Sequence, residues 1–262
     1  MANKYLARED APFGSDVWDR LDKAMVKAAR GRLTGRRLLD IDGPFGLGLK
    51  AVPLRDTELE SGLIASEVLP LYTLYEDFTL GVRDLAAYER DKIGLNVGPV
   101  VQAAIKCAQR EDDLIFNGTA GIPGLMTAEG VNEVELSDWD EVGTAGNDLI
   151  KAVTKLDAAG FHGPYALALA PERYNLLFRL YEQNTRSEME HIKTIVTDGI
   201  FKAPILEEGG VLISTDRYHA SIVLGQDMTV GFIGPVGDRV EFFISESLTL
   251  RIRRPQAICV LV

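Results

Sequence analysis

The stretch Arg36-Arg37-Leu38-Leu39-Asp40-Ile41-Asp42-Gly43-Pro44-Phe45-Gly46 lies between a clear helical segment and a long run of strand-like residues. In it, Leu39 and Ile41 alternate with Asp40 and Asp42, which predicts a short strand with one apolar and one polar face. Gly43-Pro44 then supplies the residues of a turn. A charged strand beside a helix is either a solvated sheet edge or a docking surface. The local residues alone favour the solvated edge.

Upstream of this stretch, residues 15–30 have the pattern of an amphipathic helix. Ser15 is a suitable cap, and the apolar stripe contains Val17, Leu21, Met25 and Ala28. Gly31 is a natural end for the helix. The stripe predicts a helix packed on a sheet.

Downstream, residues 47–82 are rich in strand-forming side chains and contain a polar tip at residues 55–62. Pro70 restricts its position to a sheet edge or a bulge. A long hairpin with apolar residues on both faces is not stable as an isolated ribbon. It therefore needs another surface, either on its own domain or on a neighbouring subunit.

The remaining chain mixes helical and strand patterns, which predicts an α+β fold. Helices are expected from Gly98-Pro99 to Asn117-Gly118, over residues 143–159 and from Pro171 to about residue 181, with a strand over 163–170 and mostly strands after 211. The acidic run Glu111-Asp112-Asp113 has no histidine near it in sequence. It is interpreted as a solvated face or an intersubunit ion pair.

Composition excludes several classes of protein. The chain has 262 residues, with 28 Lys+Arg against 39 Asp+Glu and a formal net charge of -11, which disfavours sequence-independent nucleic-acid binding. Cys107 and Cys259 are far apart and form no CxxC motif, which indicates buried thiols in a reducing compartment, the cytoplasm. The N-terminal residues are too charged for a signal peptide, and no apolar run is long enough to cross a bilayer.

Catalytic motifs are missing from the sequence. His162, His191 and His219 are each isolated from other ligand residues at metal-binding spacing, so no metal site is predicted. There is no GxSxG motif, and the glycines near residue 46 do not form a phosphate-binding loop. The sequence does not support an enzyme.

Six segments, in this order, resemble one known family. They are Arg36 to Gly46; Phe78-Thr79-Leu80 with Ala87-Tyr88-Glu89-Arg90; Glu111-Asp112 to Gly118 with Gly121-Ile122-Pro123-Gly124-Leu125; Gly163-Pro164-Tyr165; Leu224 to Gly231; and Phe243 to Leu250. Together they resemble the encapsulins, formerly called linocin or bacteriocin-like proteins, over nearly the whole chain. The resemblance implies the Hong Kong 97-type fold of phage major capsid proteins.

That fold implies three regions. The peripheral domain would comprise residues 1–46, 78–133 and 219–262, including the helix at 15–30, and the axial domain would comprise residues 134–218. Residues 47–77 would form the extension loop, a hairpin lying on a neighbouring subunit. A pore rim near a symmetry axis would be formed by Asn184, Thr185, Arg186, Ser187 and Glu188.

The family function would be a self-assembling icosahedral shell of a bacterial or archaeal nanocompartment in the cytoplasm. The shell would enclose a cargo enzyme, such as a ferritin-like protein or a dye-decolourising peroxidase, for iron storage or oxidative-stress chemistry. All catalysis would belong to the cargo.

The alternative is a phage or prophage major capsid protein that packages DNA. The negative charge and the immediate start of the chain at the Ser15 helix disfavour that alternative. A secreted antibacterial protein or protease ranks last, because neither a secretion signal nor a nucleophile with its base is visible.

The resemblance also implies a site for a short C-terminal targeting peptide of the cargo. The corresponding positions are Met25, Ala29, Leu33, Arg36, Leu39, Asp40, Asp227 and Val230. An apolar groove would take aliphatic side chains while Arg36 and Asp40 fix polar groups of the peptide, unless these two residues simply pair with each other.

Some encapsulins hold a flavin through a tryptophan just after the Phe-Thr-Leu strand. Here that segment reads Gly81-Val82-Arg83-Asp84, and the chain's two tryptophans are Trp18 and Trp139. No cofactor is therefore expected.

Overall fold

The computed structural model describes residues 4–92, 94–181 and 186–262. The helices are α1 (Ser15–Arg30), α2 (Gly35–Leu38), α3 (Val82–Asp91), α4 (Gly98–Phe116), α5 (Thr144–Ala158), α6 (Pro171–Leu176) and α7 (Glu188–Ile192). The strands are β1 (Asp40–Asp42), β2 (Ala51–Glu60), β3 (Leu63–Pro70), β4 (Tyr72–Gly81), β5 (Gly118–Thr119), β6 (Ile122–Pro123), β7 (Asn132–Val134), β8 (Tyr165–Leu169), β9 (Ile200–Lys202), β10 (Gly210–Ser214), β11 (Ala220–Leu224), β12 (Thr229–Val236), β13 (Arg239–Ile252) and β14 (Ile258–Leu261). Short 3₁₀ turns lie at Lys4–Leu6, Arg8–Asp10 and Pro255–Ala257.

The chain forms two compact units, and each is built from separate stretches of sequence. Unit 1 contains Met1–Leu33, Gly43–Glu111 and Leu224–Leu248. Unit 2 contains Thr34–Asp42, Asp112–Val223 and Thr249–Val262. The predicted peripheral domain coincides with neither unit, because its residues 34–42, 112–133, 219–223 and 249–262 lie in unit 2. Strand β14 belongs to unit 2 through its pairing with β10 and with β7.

Unit 1 has an antiparallel sheet in which β13 lies between β12 and β4. Helix α1 packs against this sheet through Val17 and Leu21, which are fully buried. The predicted helix, its apolar stripe and its end at Gly31 are confirmed. Phe242 pairs with Phe232 and Phe78 across the strands, so large apolar side chains from adjacent strands meet over α1.

The hairpin of unit 1 consists of β2 and β3, which pair only with each other among the described residues. Its side chains include exposed apolar residues on both strands. These are Leu54, Leu59, Leu63, Ile64 and Val68, each between 44% and 66% exposed. The predicted hairpin is confirmed for β2 and β3. It ends earlier than residue 77, because β4 leaves it and pairs with β13 from Tyr72 onward.

Unit 2 is built on a mixed sheet in the order β7-β14-β10-β8-β9. Every residue of β8 and β10 is buried, which explains the continuous apolar runs in their sequences. Helix α5 covers this sheet through Leu149 and Leu156, both fully buried. Helix α6 ends at Leu176 and so is shorter than the predicted segment to residue 181.

The buried carboxylate of Asp148, on α5, binds residues of the segment that precedes this helix. Asp148 accepts hydrogen bonds from the Ser137 backbone N–H at 2.8 Å and from the Trp139 indole Nε1–H at 2.9 Å. The Ser137 hydroxyl donates to the same oxygen at 2.7 Å, and the Lys151 ammonium lies 2.8 Å from the other oxygen. Burial opposes ionisation of Asp148, but these donors outweigh it and lower its pKa to about 2.

The low pKa of Asp148 predicts a pH-dependent contribution to stability. A carboxyl whose pKa is lower in the folded state stabilises the fold above its ordinary value near 4 and loses this effect as pH falls toward about 2. The variant Asp148→Asn should therefore unfold about 2 kcal/mol more easily at neutral pH, with the difference shrinking below about pH 4. Tryptophan fluorescence in urea at several pH values measures this. Asp140→Asn, at an exposed position, is the control, and a difference independent of pH would contradict the prediction.

The acidic run on α4 differs from its prediction as a solvated face. Glu111 is fully buried and Asp112 is 3% exposed, whereas Asp113 is exposed. The Asp112 carboxylate accepts hydrogen bonds from the backbone N–H groups of Thr34 and Gly35, at distances of 2.9 to 3.0 Å. These two donors sit at the start of α2, so Asp112 supplies the negative charge that the first turn of a helix requires.

Candidate peptide-binding site

The stretch at residues 36–46 forms a helical turn, a short strand and a turn. Arg36 lies in α2, and Leu39 connects α2 to β1. Strand β1 pairs in parallel with β11, with Asp40 opposite Ser221 and Asp42 opposite Val223. Asp112 fixes the start of α2, and β11 fixes β1, so the side chains between them have defined positions.

Three of the predicted site residues line one polar cavity of unit 2. Arg36, Leu39 and Asp40 border a cavity of about 250 Å³. Leu39 is buried beneath it, whereas Arg36 is half-buried and Asp40 is exposed. Asp198 and Asp216 line the same cavity and were not predicted. No local pattern distinguishes these two residues, because they lie far from Arg36 in sequence and share only the cavity with it.

The two aspartates of β1 have different environments. Asp40 is exposed, but the Asp42 carboxylate is 11% exposed and contacts Arg217 at 2.6 Å and Arg253 at 3.1 Å. The Ser221 hydroxyl also donates to Asp42 at 2.8 Å. Burial alone raises the pKa of Asp42, but the hydrogen bonds from Ser221, Arg253 and Arg217 outweigh it and lower this pKa below its ordinary value.

The predicted alternation along β1 is wrong in one respect. Ile41 is 41% exposed, whereas its neighbour Asp42 is largely buried. The inversion arises because Arg217 and Arg253 provide a charged, hydrogen-bonding environment for Asp42, and a pattern of apolar and polar letters cannot represent such a partner.

The apolar positions predicted in unit 1 do not form an open groove. Met25, Ala29, Leu33 and Val230 are between 0% and 6% exposed and belong to the core of that unit. Their role in binding a cargo peptide stays a prediction. Asp227, the remaining predicted residue of unit 1, is exposed and lies two residues before β12.

Only part of the predicted pore rim can be described. Asn184 and Thr185 lie outside the described residues. Ser187 caps α7, and its hydroxyl accepts a hydrogen bond from the Glu190 backbone N–H at 3.3 Å. Glu188 is fully buried and accepts a hydrogen bond from the Gly143 backbone N–H at 2.9 Å. The pore-rim role of these residues stays a prediction.

Both thiols have environments that favour the neutral form. Cys107 is buried in unit 1 with its Sγ 3.4 Å from Glu246 Oε1, and burial raises its pKa together with the neighbouring carboxylate. Burial also raises the pKa of Cys259 to about 11. The two cysteines are free and buried, as the sequence predicted. Among the described residues, no three His, Cys, Asp or Glu side chains are grouped to hold a metal ion.

The segment that carries a flavin-binding tryptophan in some encapsulins forms the start of α3. Val82 is 43% exposed there and Arg83 is exposed, so no aromatic ring is available at these positions to stack on a flavin. Trp18 and Trp139 are 8% and 1% exposed, because each packs inside the core of its own unit. These residues do not fit the flavin site that the resemblance implies.

No helix within the described residues combines the length and apolar character needed to span a membrane.

Comparison with known proteins identifies the family. The family model described as "Encapsulating protein for peroxidase" matches residues 3–249. The type 1 encapsulin shell protein EncA of Myxococcus xanthus is 35% identical over 275 residues, which cover 98% of this chain and 96% of that protein.

Similar solved structures identify the fold. A virus-like particle from Pyrococcus furiosus matches with a TM-score of 0.78 and 25% identity, covering 94% of this chain and 99% of its own. The capsid of Myoviridae phage XM1 matches with a TM-score of 0.64 and 13% identity, covering 87% and 90% of the two chains. The second likeness shows the fold alone, and it is the α+β fold of Hong Kong 97-type capsids that the sequence predicted. On this evidence the chain belongs to the encapsulin family as a type 1 shell protein, the building block of a self-assembling nanocompartment.

Proposed function

We propose that the shell encloses an oxidative-stress or iron-handling enzyme and holds it through a short C-terminal peptide of that enzyme. The observation that carries the proposal is the polar cavity of unit 2, where Arg36, Leu39 and Asp40 meet. The matching family model is named for encapsulating a peroxidase, which favours a peroxidase as cargo.

The chemistry of the cavity suits a peptide with mixed side chains. The Arg36 guanidinium can donate to backbone carbonyls of a peptide, and the Asp40 carboxylate can accept from its N–H groups. Leu39 provides apolar surface between these charges.

The double variant Arg36→Ala, Asp40→Ala should assemble normally and lose its cargo. Removal of both groups leaves the peptide without its polar anchors, at about 1 to 3 kcal/mol for each charge-assisted hydrogen bond, which corresponds to a tenfold or larger loss of binding. Shells purified from the native cells, with their content measured by gel electrophoresis and peroxidase or ferroxidase assays, test this.

A matched control removes the same charges elsewhere. Arg90 and Asp91 form an exposed ion pair at the end of α3, with Arg90 Nη2 2.5 Å from Asp91 Oδ2. The variant Arg90→Ala, Asp91→Ala should retain full cargo. Equal loading in all three shells would remove the binding-site assignment.

Four further statements belong to the proposal. The shell is cytoplasmic and has no catalytic activity of its own, and it binds no flavin, so empty shells should be colourless and inactive. It also carries no packaged DNA, for which the net charge of -11 offers little attraction. A particle filled with DNA would support the capsid alternative.

A further inference from the structure

Three arginines of unit 2 lie near a single carboxylate. The Arg217 Nη2–H donates to Asp42 Oδ1 at 2.6 Å, and the Arg253 Nη2–H donates to Asp42 Oδ2 at 3.1 Å. Arg251 lies two residues before Arg253, and both Arg253 and Asp42 act electrostatically on it. All four residues belong to unit 2. The group therefore has three positive charges against one negative charge, which leaves two positive charges unbalanced.

Arg251 is the member of this group whose charge is least satisfied. It is half-buried, and its buried Nε atom has no hydrogen-bond partner among the described residues. Burial lowers the pKa of Arg251, Arg253 adds to this effect, and Asp42 opposes it. A buried charged donor without an acceptor is costly and therefore rare in folded proteins. An acceptor that comes from outside the chain would remove this cost.

The hydroxyl of Thr249 is a second buried polar group without a partner. Thr249 is fully buried, and its Oγ1 atom makes no hydrogen bond within the part of the chain that the structure describes. Thr249 and Arg251 are two residues apart on β13, so their side chains lie on the same face of this strand. A hydroxyl and a guanidinium can both donate to the oxygen atoms of one anion.

The two other arginines make the group both reachable and rigid. The Arg217 side chain is 61% exposed, so the group is open to solvent on this side. The Arg253 Nη1–H donates to the Arg217 carbonyl oxygen at 2.7 Å and to the Ser221 hydroxyl at 2.8 Å. These bonds hold the Arg253 guanidinium in one position. A donor that is already held in place loses less freedom when a ligand binds.

We propose that Arg217, Arg251 and Arg253 bind one small dianion of the phosphate class. The Thr249 hydroxyl is a further donor to it. Two unbalanced positive charges match a doubly charged phosphate, whereas chloride leaves one of them unbalanced. The planar fork of arginine donors also fits the paired oxygen atoms of phosphate. This site goes beyond the proposed peptide site, because none of its three arginines lines that polar cavity.

Calorimetric titration of intact shells with inorganic phosphate tests the site. The titration is run at about pH 8, where phosphate is doubly charged, in chloride buffer of constant ionic strength. Saturable binding with one site for each chain is expected, together with a higher melting temperature in phosphate. Phenyl phosphate is titrated in parallel, and the tighter of the two ligands shows whether the site takes the free ion or a phosphate ester. The absence of both saturable heat and thermal stabilisation would overturn the proposal.

The variant Arg251→Met removes the charge and keeps a long apolar side chain. Phosphate should bind this variant about tenfold more weakly, because one charge-assisted contact is lost. Without phosphate, the variant should assemble and melt no lower than the parent shell, because it loses an unpaired buried donor. Arg251→Lys keeps the charge without the fork and should bind phosphate about threefold more weakly. Arg83→Met, at an exposed arginine of α3, is the control and should bind like the parent.

These measurements separate an anion site from an ion pair between subunits. If a carboxylate of a neighbouring subunit filled the site, Arg251→Met would melt lower or fail to assemble, and the parent shell would not bind phosphate. That pair of results would overturn the proposal. If Arg251→Met does not fold, the exposed position Arg217 decides, since Arg217→Met should also weaken phosphate binding about tenfold. Unchanged phosphate affinity in Arg217→Met would equally refute the site.

Discussion

The double variant Ile64→Glu, Val68→Glu should remain folded and fail to form shells. Both side chains lie on the same face of β3 and are 66% and 56% exposed in the single chain. We expect a neighbouring subunit to bury these residues, since the hairpin of β2 and β3 pairs with no other described strand. Each buried aliphatic side chain contributes about 1.5 to 3 kcal/mol, and a buried carboxylate without a partner adds a further penalty.

Light scattering after size-exclusion chromatography measures the result. The parent protein should elute as a megadalton-scale particle, whereas the variant should elute near the subunit mass of 28.7 kDa or as small oligomers. Circular dichroism should show unchanged secondary structure, because the two side chains do not belong to either core cluster. Ser61→Glu adds a charge at the polar turn and should assemble. Intact shells from the double variant would show that this face does not contact a neighbouring subunit.

The variant Asp42→Ala should destabilise the protein strongly, while Asp40→Ala should not. Loss of Asp42 leaves Arg217 and Arg253 without their shared carboxylate, and burial already lowers the pKa of the neighbouring Arg251, with Arg253 adding to this effect. Removing one partner of a buried ion pair costs about 3 to 5 kcal/mol, and the exposure of Arg217 argues for the lower end. We therefore expect a loss of about 3 kcal/mol for Asp42→Ala and about 0.5 kcal/mol or less for Asp40→Ala.

Thermal unfolding of purified shells and their cargo content together test whether Asp42 stabilises the fold while Asp40 binds cargo. Asp42→Ala should lower the melting temperature by about 6 to 10 °C. Asp40→Ala should leave the melting temperature unchanged and reduce cargo content. The two residues are two positions apart on one strand, so each is the control for the other. Similar melting temperatures for both variants would contradict the role assigned to Asp42.

Sequence reasoning succeeded where the signal is local. The stripe of α1, the start of α4 at Gly98 and the buried run of β8 follow from residue spacing and caps, and the structure confirms all three. Gly43 was predicted in a turn, and its φ of 125° is one that glycine tolerates best. A side chain there would also approach the Leu224 carbonyl oxygen to 2.4 Å.

The sequence does not predict helices α2 and α3, because neither has a run of apolar residues at helical spacing. Helix α2 has four residues, and it is stabilised by the carboxylate of Asp112 from a different part of the chain. Helix α3 follows β4 directly, and its one buried residue is Leu85, so it shows no apolar stripe. The residue patterns of α2 and α3 therefore do not differ from those of a loop of similar composition.

The sequence by itself determined the family, the α+β class and the position of the hairpin of β2 and β3, because these depend on motif order and on residue periodicity. Tertiary structure alone decided which charges are buried. It made Asp42 and Asp112 partners of groups far away in sequence and left Asp40 exposed, although all three are the same residue type. The physical reason is that the free energy of a buried carboxylate depends on its hydrogen-bond donors. Those donors lie on strands and loops that are far away in sequence.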